Sequence, residues 1–438
     1  MLCLIRRPCA AWVLALVFLA SSPAAQAQFT FTTNSGVITI TGYTGPGGGV
    51  TIPSTTNGYS VTSIGNSAFQ NKTAVTSVTI PTSVTNMGTY VFYGCMGLNS
   101  VTMSSGVTNL APGMFLNCVG LTSVSIPTNT ASIGTFAFYG CTNLATITLP
   151  KSLTSIGDNG FQGCAALANL TFPTNLASIG QWTFYGCTGL TGVTIPSSVT
   201  NIGAYAFYDC AGLASVTIGK GVIAIGSQAL WGCGLSTITV DTNNPDYSSM
   251  AGVLFNKSQK SLLQWPAGKG GSYALPGGVT NIGSYAFDSC ASLTSVVMPT
   301  NVTSIGDPAF GSCGSLTGLY FNGKPPSLGT NVFYGDTHAT AFYLPKTTGW
   351  GTTFGGIPTA LWRPEAQIGD GSFGVRTNRF GFDVTWTSNR LIVIEAATNL
   401  PSATWVPLKT NTFTNGLFYF GDPTWTNYHR RFYRVRAP

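Results

Sequence analysis

The sequence predicts a solenoid of stacked parallel strands followed by a small antiparallel β-domain, and three observations carry that prediction. Cys95, Cys118, Cys141, Cys164, Cys187, Cys210 and Cys233 follow one another at steps of 23 residues, and Cys290 to Cys313 repeats the step. A Phe column (Phe69, Phe92, Phe115, Phe138, Phe161, Phe184, Phe207, then Phe287, Phe310 and Phe333) keeps the same ruler, with Leu230 substituting once. After about residue 360 the period disappears and short alternating apolar runs replace it. A fixed period over some 270 residues is the signature of a repeat array, in which no unit buries its own apolar side and stacking makes the core.

Composition agrees. Only 7% of the 438 residues are charged, Gly reaches 54, and 44% are hydrophobic, enough to exclude a disordered chain. The chain opens with Arg6 and Arg7, an apolar run from Ala10 to Ala20, and the small-x-small triplet Ala25-Gln26-Ala27. This pattern predicts a secretory signal over residues 1–27, a mature start at Gln28 and a secreted or cell-surface location; the other reading is an uncleaved anchor helix. No later stretch reaches 18 apolar residues. Without Arg6 and Arg7 the net charge of +7 falls to +5, too mild to point to nucleic acid.

Within one period, L-x-x-V-x-I-P (Leu121, Val124, Ile126, Pro127) alternates as a short strand with one buried face, ended by a proline that cannot donate to a ladder. The second half, V-x-x-I-G-x-x-A-F-x-x-C, reads as a short 3₁₀-like or loop return or a second extended edge. Each coil adds about 4.8 Å of parallel sheet. The whole period resembles the leucine-rich repeats of the BspA-like bacterial surface-antigen type, which carry the same I-G-x-x-A-F-x-x-C signature. The resemblance spans roughly Val37 to Ala360 and implies a leucine-rich repeat solenoid over residues 28–360, with an N-terminal cap. Residues 241–276 stretch the Ile225 to Ile282 interval to 57 residues; this insert looks like the family's irregular repeat and predicts a local hairpin through Val253-Leu254-Phe255 and Leu262-Leu263.

Residues 361–438 hold nine Lys/Arg against five Asp/Glu, and the runs 380–386, 391–397, 405–409, 417–422 and 431–436 alternate as strands of a small sandwich-like β-module.

Candidate binding positions follow from the columns. Thr148, Thr171, Thr194 and Thr217 belong to an outward strand column that serves either β-propensity and solubility or contact with a protein or glycan. Tyr139, Tyr185, Tyr208 and Trp231 form an aromatic column two residues before Cys, read as packing or as ligand contacts. Arg430, Arg431, Arg434 and Arg436 make the one basic cluster, either a charged edge strand or a patch for an anionic envelope component. Trp386, Trp405 and Trp425 are core of the module or a glycan face.

Nine cysteines remain after signal removal; they suit a buried ladder or occasional disulfides better than zinc, whose ligands come in closely spaced pairs. Neither His338 nor His429 lies in a catalytic motif, and residues 28–360 contain no Glu. Asp158, Asp209, Asp288 and Asp307 read as scattered solubility charges. The expected function is therefore a non-enzymatic, exported recognition or adhesion protein without metal or cofactor, binding an extracellular protein or glycan. The alternative is an envelope scaffold whose solenoid is a spacer.

Overall fold

The computed structural model describes residues 28–437, apart from residues 346, 370, 387–390, 401–403 and 413–416. The expected signal segment, residues 1–27, lies outside the described residues.

The array starts with an antiparallel hairpin, Phe29–Asn34 against Val37–Tyr43. Its turn is Ser35-Gly36, both at positive φ, the geometry whose twist matches paired strands. From there each coil makes three sides. The first is a strand such as Ser123–Ser125, in register with Thr146–Thr148 of the following coil. The second is a two-residue strand such as Ser132–Ile133, paired one period on with Ser155–Ile156. The third is a run of i→i−3 turns, with Ala137 donating to Gly134, Tyr139 to Phe136 and Cys141 to Phe138 at 3.1–3.2 Å. Both sequence alternatives for the second half thus occur, one after the other.

The core is a set of ladders along the solenoid axis. Phe92, Phe115, Phe138, Phe161, Phe184 and Phe207 are fully buried, with successive rings stacked at 5.0–5.5 Å. Beside them all nine cysteines are buried and free. The Cys187 thiol donates to the Phe161 carbonyl of the preceding coil at 3.1 Å, and Cys118, Cys141, Cys164, Cys210, Cys233 and Cys313 repeat the bond. The Phe161 carbonyl also accepts the Cys164 N–H, so both its lone pairs are used. Burial pushes the thiols of Cys141 and Cys187 up to about 12, which keeps them protonated as donors.

Two interruptions shape the array. The insert folds as a three-stranded antiparallel meander, Tyr247–Met250, Val253–Asn256 and Ser261–Gln264, one strand more than the expected hairpin. Buried Asn244 pins its start, donating to the carbonyls of Gly219 and Val222 and accepting from the N–H groups of Asp246 and Tyr247. Trp265 takes the place of the Phe ladder, 5.8 Å from Phe287. The buried core divides there, one cluster running from Phe29 to Val240 with Leu254, the other from Val253 to Ile357.

The second interruption lies in the first sheet alone. Thr146–Thr148 ends one run and Gly192–Ile195 begins the next, and the intervening coil keeps a single bridge, Thr146 to Asn169. The second sheet passes the same level unbroken, Ser155–Ile156 to Ser178–Ile179 to Asn201–Ile202. Phe172 stands there where neighbouring coils have Leu149 and Ile195, and it meets Phe184 edge-on at 5.6 Å. The coil differs from its neighbours in three strand positions, Asn169, Leu170 and Phe172. A large ring alone does not open the sheet, because Phe321 stands in the same column and its strand pairs on both sides.

The last strand of the array, Ile357–Leu361, folds back on Thr353–Phe354. The terminal module is a sandwich of two antiparallel sheets, as expected. Arg379–Thr385 is central to one and Leu391–Ala397 to the other, with Phe382, Val384, Ile392, Ile394 and Phe420 buried between them.

Candidate functional site

Strand alternation sends every second side chain of the first sheet outward, and the structure places Thr148, Thr171, Thr194 and Thr217 there, all exposed. In-register pairing aligns the later members, Thr194 beside Thr217 and Thr217 beside Thr239, while Thr148 and Thr171 stand on either side of the interruption. A second column, Ser100, Ser123, Thr146 and Ser215 among its members, runs parallel to it. The result is an uncharged wall of hydroxyls backed by a rigid sheet. Where the sheet opens, Thr148 and Thr171 line a groove of about 390 Å³ with Asn169, Leu149, Phe172 and Lys151. This groove had no signal in the spacing, because the period is unbroken there; the trace lay in the residues themselves, Asn169, Leu170 and Phe172 where neighbouring coils carry Thr146, Ile147 and Leu149. Beyond the insert the column changes character to Val297, Tyr320 and Phe342, the last two stacked at 4.9 Å.

The aromatic column stands on another side of the coil, the turn segment, so the tyrosines and threonines do not form one surface. Tyr139, Tyr185, Tyr208 and Trp231 are half-buried rather than freely outward. Tyr185 stacks on Tyr208 at 5.3 Å and Tyr208 on Trp231 at 4.5 Å, while Trp182 stacks on Tyr205 at 4.0 Å. A ligand ring would need those faces, and neighbouring coils already cover them. The Trp231 indole N–H is in turn held by the Asp288 carboxylate. Tyr139 is set apart, meeting only Phe136 edge-on at 5.8 Å, because Gln162 interrupts the column one coil later.

The companion residues Tyr90, Phe136, Trp182, Tyr205 and Tyr285 all take φ between 57° and 61°. Bulky side chains rarely adopt that region, which Gly113 fills in a neighbouring coil at φ 63°.

Asp158 and Asp307, read as scattered charges, are instead placed on a structural column. Asp158 accepts the Gln181 N–H of the next coil at 2.7 Å, Asp307 accepts that of Thr330, and Asn66 does the same for Thr89. Each follows the I-G pair of its repeat, a column that sequence reading could have found. Asp336 occupies the cysteine position of the last period; its Oδ1 accepts the Cys313 N–H at 2.7 Å and its buried Oδ2 has no partner. Burial raises its carboxyl to about 7.

In the module, the basic cluster is largely engaged internally. Arg434 and Arg436 both bind Glu395, at 2.7 and 3.0 Å, and Arg431 binds Asp422 at 3.1 Å. The two guanidinium hydrogen bonds hold Glu395 below the usual carboxylate range. Arg434 also lies over the Trp405 ring and Arg431 over that of Tyr428, which leaves exposed Arg430 as the member without an ion pair among the described residues. The cluster therefore fits a charged edge strand, with most of its charge compensated within the module. Trp386 donates to the Leu361 carbonyl and packs on the module core, as the core reading expects. Among the described residues no three acidic, Cys or His side chains gather as a metal site, and no helix is long and apolar enough to cross a membrane.

A solenoid of parallel strands built from stacked 23-residue coils around ladders of Leu, Phe and Cys defines a leucine-rich repeat protein. The chain belongs to the BspA-type leucine-rich repeat family, whose repeat region matches residues 49–155, 131–259 and 271–351. Among solved structures it is similar to a leucine-rich cell surface protein of Faecalibacterium prausnitzii A2-165, with 30% identity over 73% of this chain and 88% of that one and a TM-score of 0.52. A leucine-rich repeat protein of Bacteroides ovatus ATCC 8483 shares the fold at 24% identity, covering 73% of this chain and 94% of its own, with a TM-score of 0.52. No curated protein matches the chain.

Proposed function

We propose that this chain is a non-enzymatic, exported recognition protein whose first sheet presents its hydroxyl wall to an extracellular protein or glycan. The observation that carries the reading is the exposed Thr148, Thr171, Thr194 and Thr217 column, one residue per 23-residue period, opened into a groove between Thr148 and Thr171 where the strand pairing lapses. The wall is nearly free of charge, so affinity there must come from hydroxyl and backbone hydrogen bonds and from apolar contact in the groove. Membership of a family with a cell-surface relative supports the location. The aromatic ladder serves packing in this reading, which moves the expected contacts from Tyr185, Tyr208 and Trp231 to the threonines.

The test is a screen of the purified chain against immobilised glycans and matrix proteins, repeated with Thr148→Lys/Thr171→Lys. A ligand that binds the parent, depends weakly on salt and is lost by the double variant supports the proposal. A ligand indifferent to those positions would leave the array as a spacer.

A further inference from the structure

The two edge strands at one corner of the terminal sandwich follow each other in the chain yet do not pair. Among the described residues Val406–Thr412 pairs only with Leu391–Ala397, and Leu417–Asp422 only with Arg379–Thr385. Between them lies a groove of about 530 Å³ floored by Leu408, Phe418 and Phe420. We propose that this corner docks an extended acidic segment of a partner protein, which adds a strand to the edge of Leu417–Asp422.

Charge argues for an acidic occupant. Arg379 and Lys409 wall the groove, both are exposed, and neither has an ion pair among the described residues. Arg376 adds a third cation beside Tyr419, 5.9 Å from its ring. The one acid in the lining, Asp422, is buried and already holds Arg431, the Tyr433 hydroxyl and Thr424. Its charge is therefore compensated and the rim is left positive. This is the reverse of Arg431, Arg434 and Arg436, whose charges are engaged.

The backbone argues for a polypeptide rather than a glycan. An edge strand offers a row of unpaired N–H and C=O groups, which another extended backbone satisfies in kind. Val406–Thr412 is blunted by Pro407 at an irregularity in its pairing, where Pro407 faces Glu395. Leu417–Asp422 carries no such device, and its Leu417 and Tyr419 side chains are 55% and 39% exposed. Six residues of edge set a footprint of roughly 20 Å. This site is separate from the threonine wall, so either can fail without the other.

The experiment uses the full mature chain with fluorescein-labelled poly-L-glutamate as the probe, read by anisotropy at about 50 and about 500 mM salt. The expected result is binding at low salt that weakens about tenfold or more at high salt and in Arg379→Glu/Lys409→Glu, while Arg430→Glu leaves it unchanged. Melts of the variants confirm that they fold. Hydrogen exchange should slow at the amides of Leu417, Tyr419 and Gly421, which face the open edge, when the probe is bound. Absence of binding, or binding unaffected by the double variant, overturns the site. Equal competition by polygalacturonate without slowed exchange overturns strand addition, since a sugar polymer of like charge cannot extend the sheet.

Discussion

The thiol-to-carbonyl bond gives the recurring buried cysteines a structural role as donors along the stack, one that leaves them free rather than disulfide-bonded. Cys187→Ala removes one donor from a carbonyl that keeps its second partner, Cys164 N–H, and it opens a small void. A loss of about 1–2 kcal/mol is expected in denaturant melts. In the native protein the thiols should stay inaccessible to alkylating reagents until it unfolds, because burial raises them far above neutral pH. Asp336 at the same register position behaves differently. Its folded value, about 7, lies above its ordinary one, with desolvation the main cause and the nearby Asp288 charge adding to it. A raised carboxyl binds its proton more tightly in the folded state, so its contribution is fully present below about pH 4 and is lost as pH rises through about 7. The last coils should therefore melt at lower temperature at pH 8 than at pH 5. Asp336→Asn should flatten that dependence, and an unchanged profile would mean the carboxylate finds water. The positive φ of Tyr205 adds a third case: the turn imposes it, since Asn159 and Gln228 at the same position of other coils take φ 58° and 51° without a ring to stack.

At the scale of elements, the inside and outside of the coil should be energetically distinct. Phe184→Ala empties the centre of a stacked column and should cost about 3–5 kcal/mol, whereas Thr194→Ala on the wall should cost under about 1 kcal/mol. Denaturant melts decide, and equal effects would mean the columns are misassigned. These columns were legible in the sequence because a fixed period makes each position report on all its copies; the strands 391–397 and 417–422 were legible for the separate reason that alternation and turn residues bounded them. What escaped depended on single residues or on partners distant in the chain. One coil, with Asn169, Leu170 and Phe172 in its strand, interrupts a sheet although its period is intact. The stacking of Tyr185 on Tyr208 follows from ring orientation, which spacing does not encode. The pairing of Arg434 and Arg436 with Glu395 needs a register across 39 and 41 residues.

Over the whole molecule, nearest-neighbour stacking makes stability local, and the insert is where neighbours are least alike. With the core divided near Val253, hydrogen exchange should show two levels of protection, one for coils before the insert and one for those after it. Asp336→Asn should raise only the second. Uniform protection from residue 75 to residue 343 would show that the meander couples the halves fully.

The register of Ser132–Ile133 on Ser155–Ile156 also makes the coil an interchangeable part. Excising residues 134–156 would join Ile133 to Gly157 and recreate the same Ser-Ile-Gly junction, leaving Phe115 to meet Phe161 across the healed seam. Such a chain should fold with its display face one rung shorter and both ends intact. Removing one residue more would put every later side chain out of step. A lineage carrying this fold can lengthen or shorten its reach in whole rungs, by duplication or loss of a fixed stretch of gene, without redesigning what stands at either end.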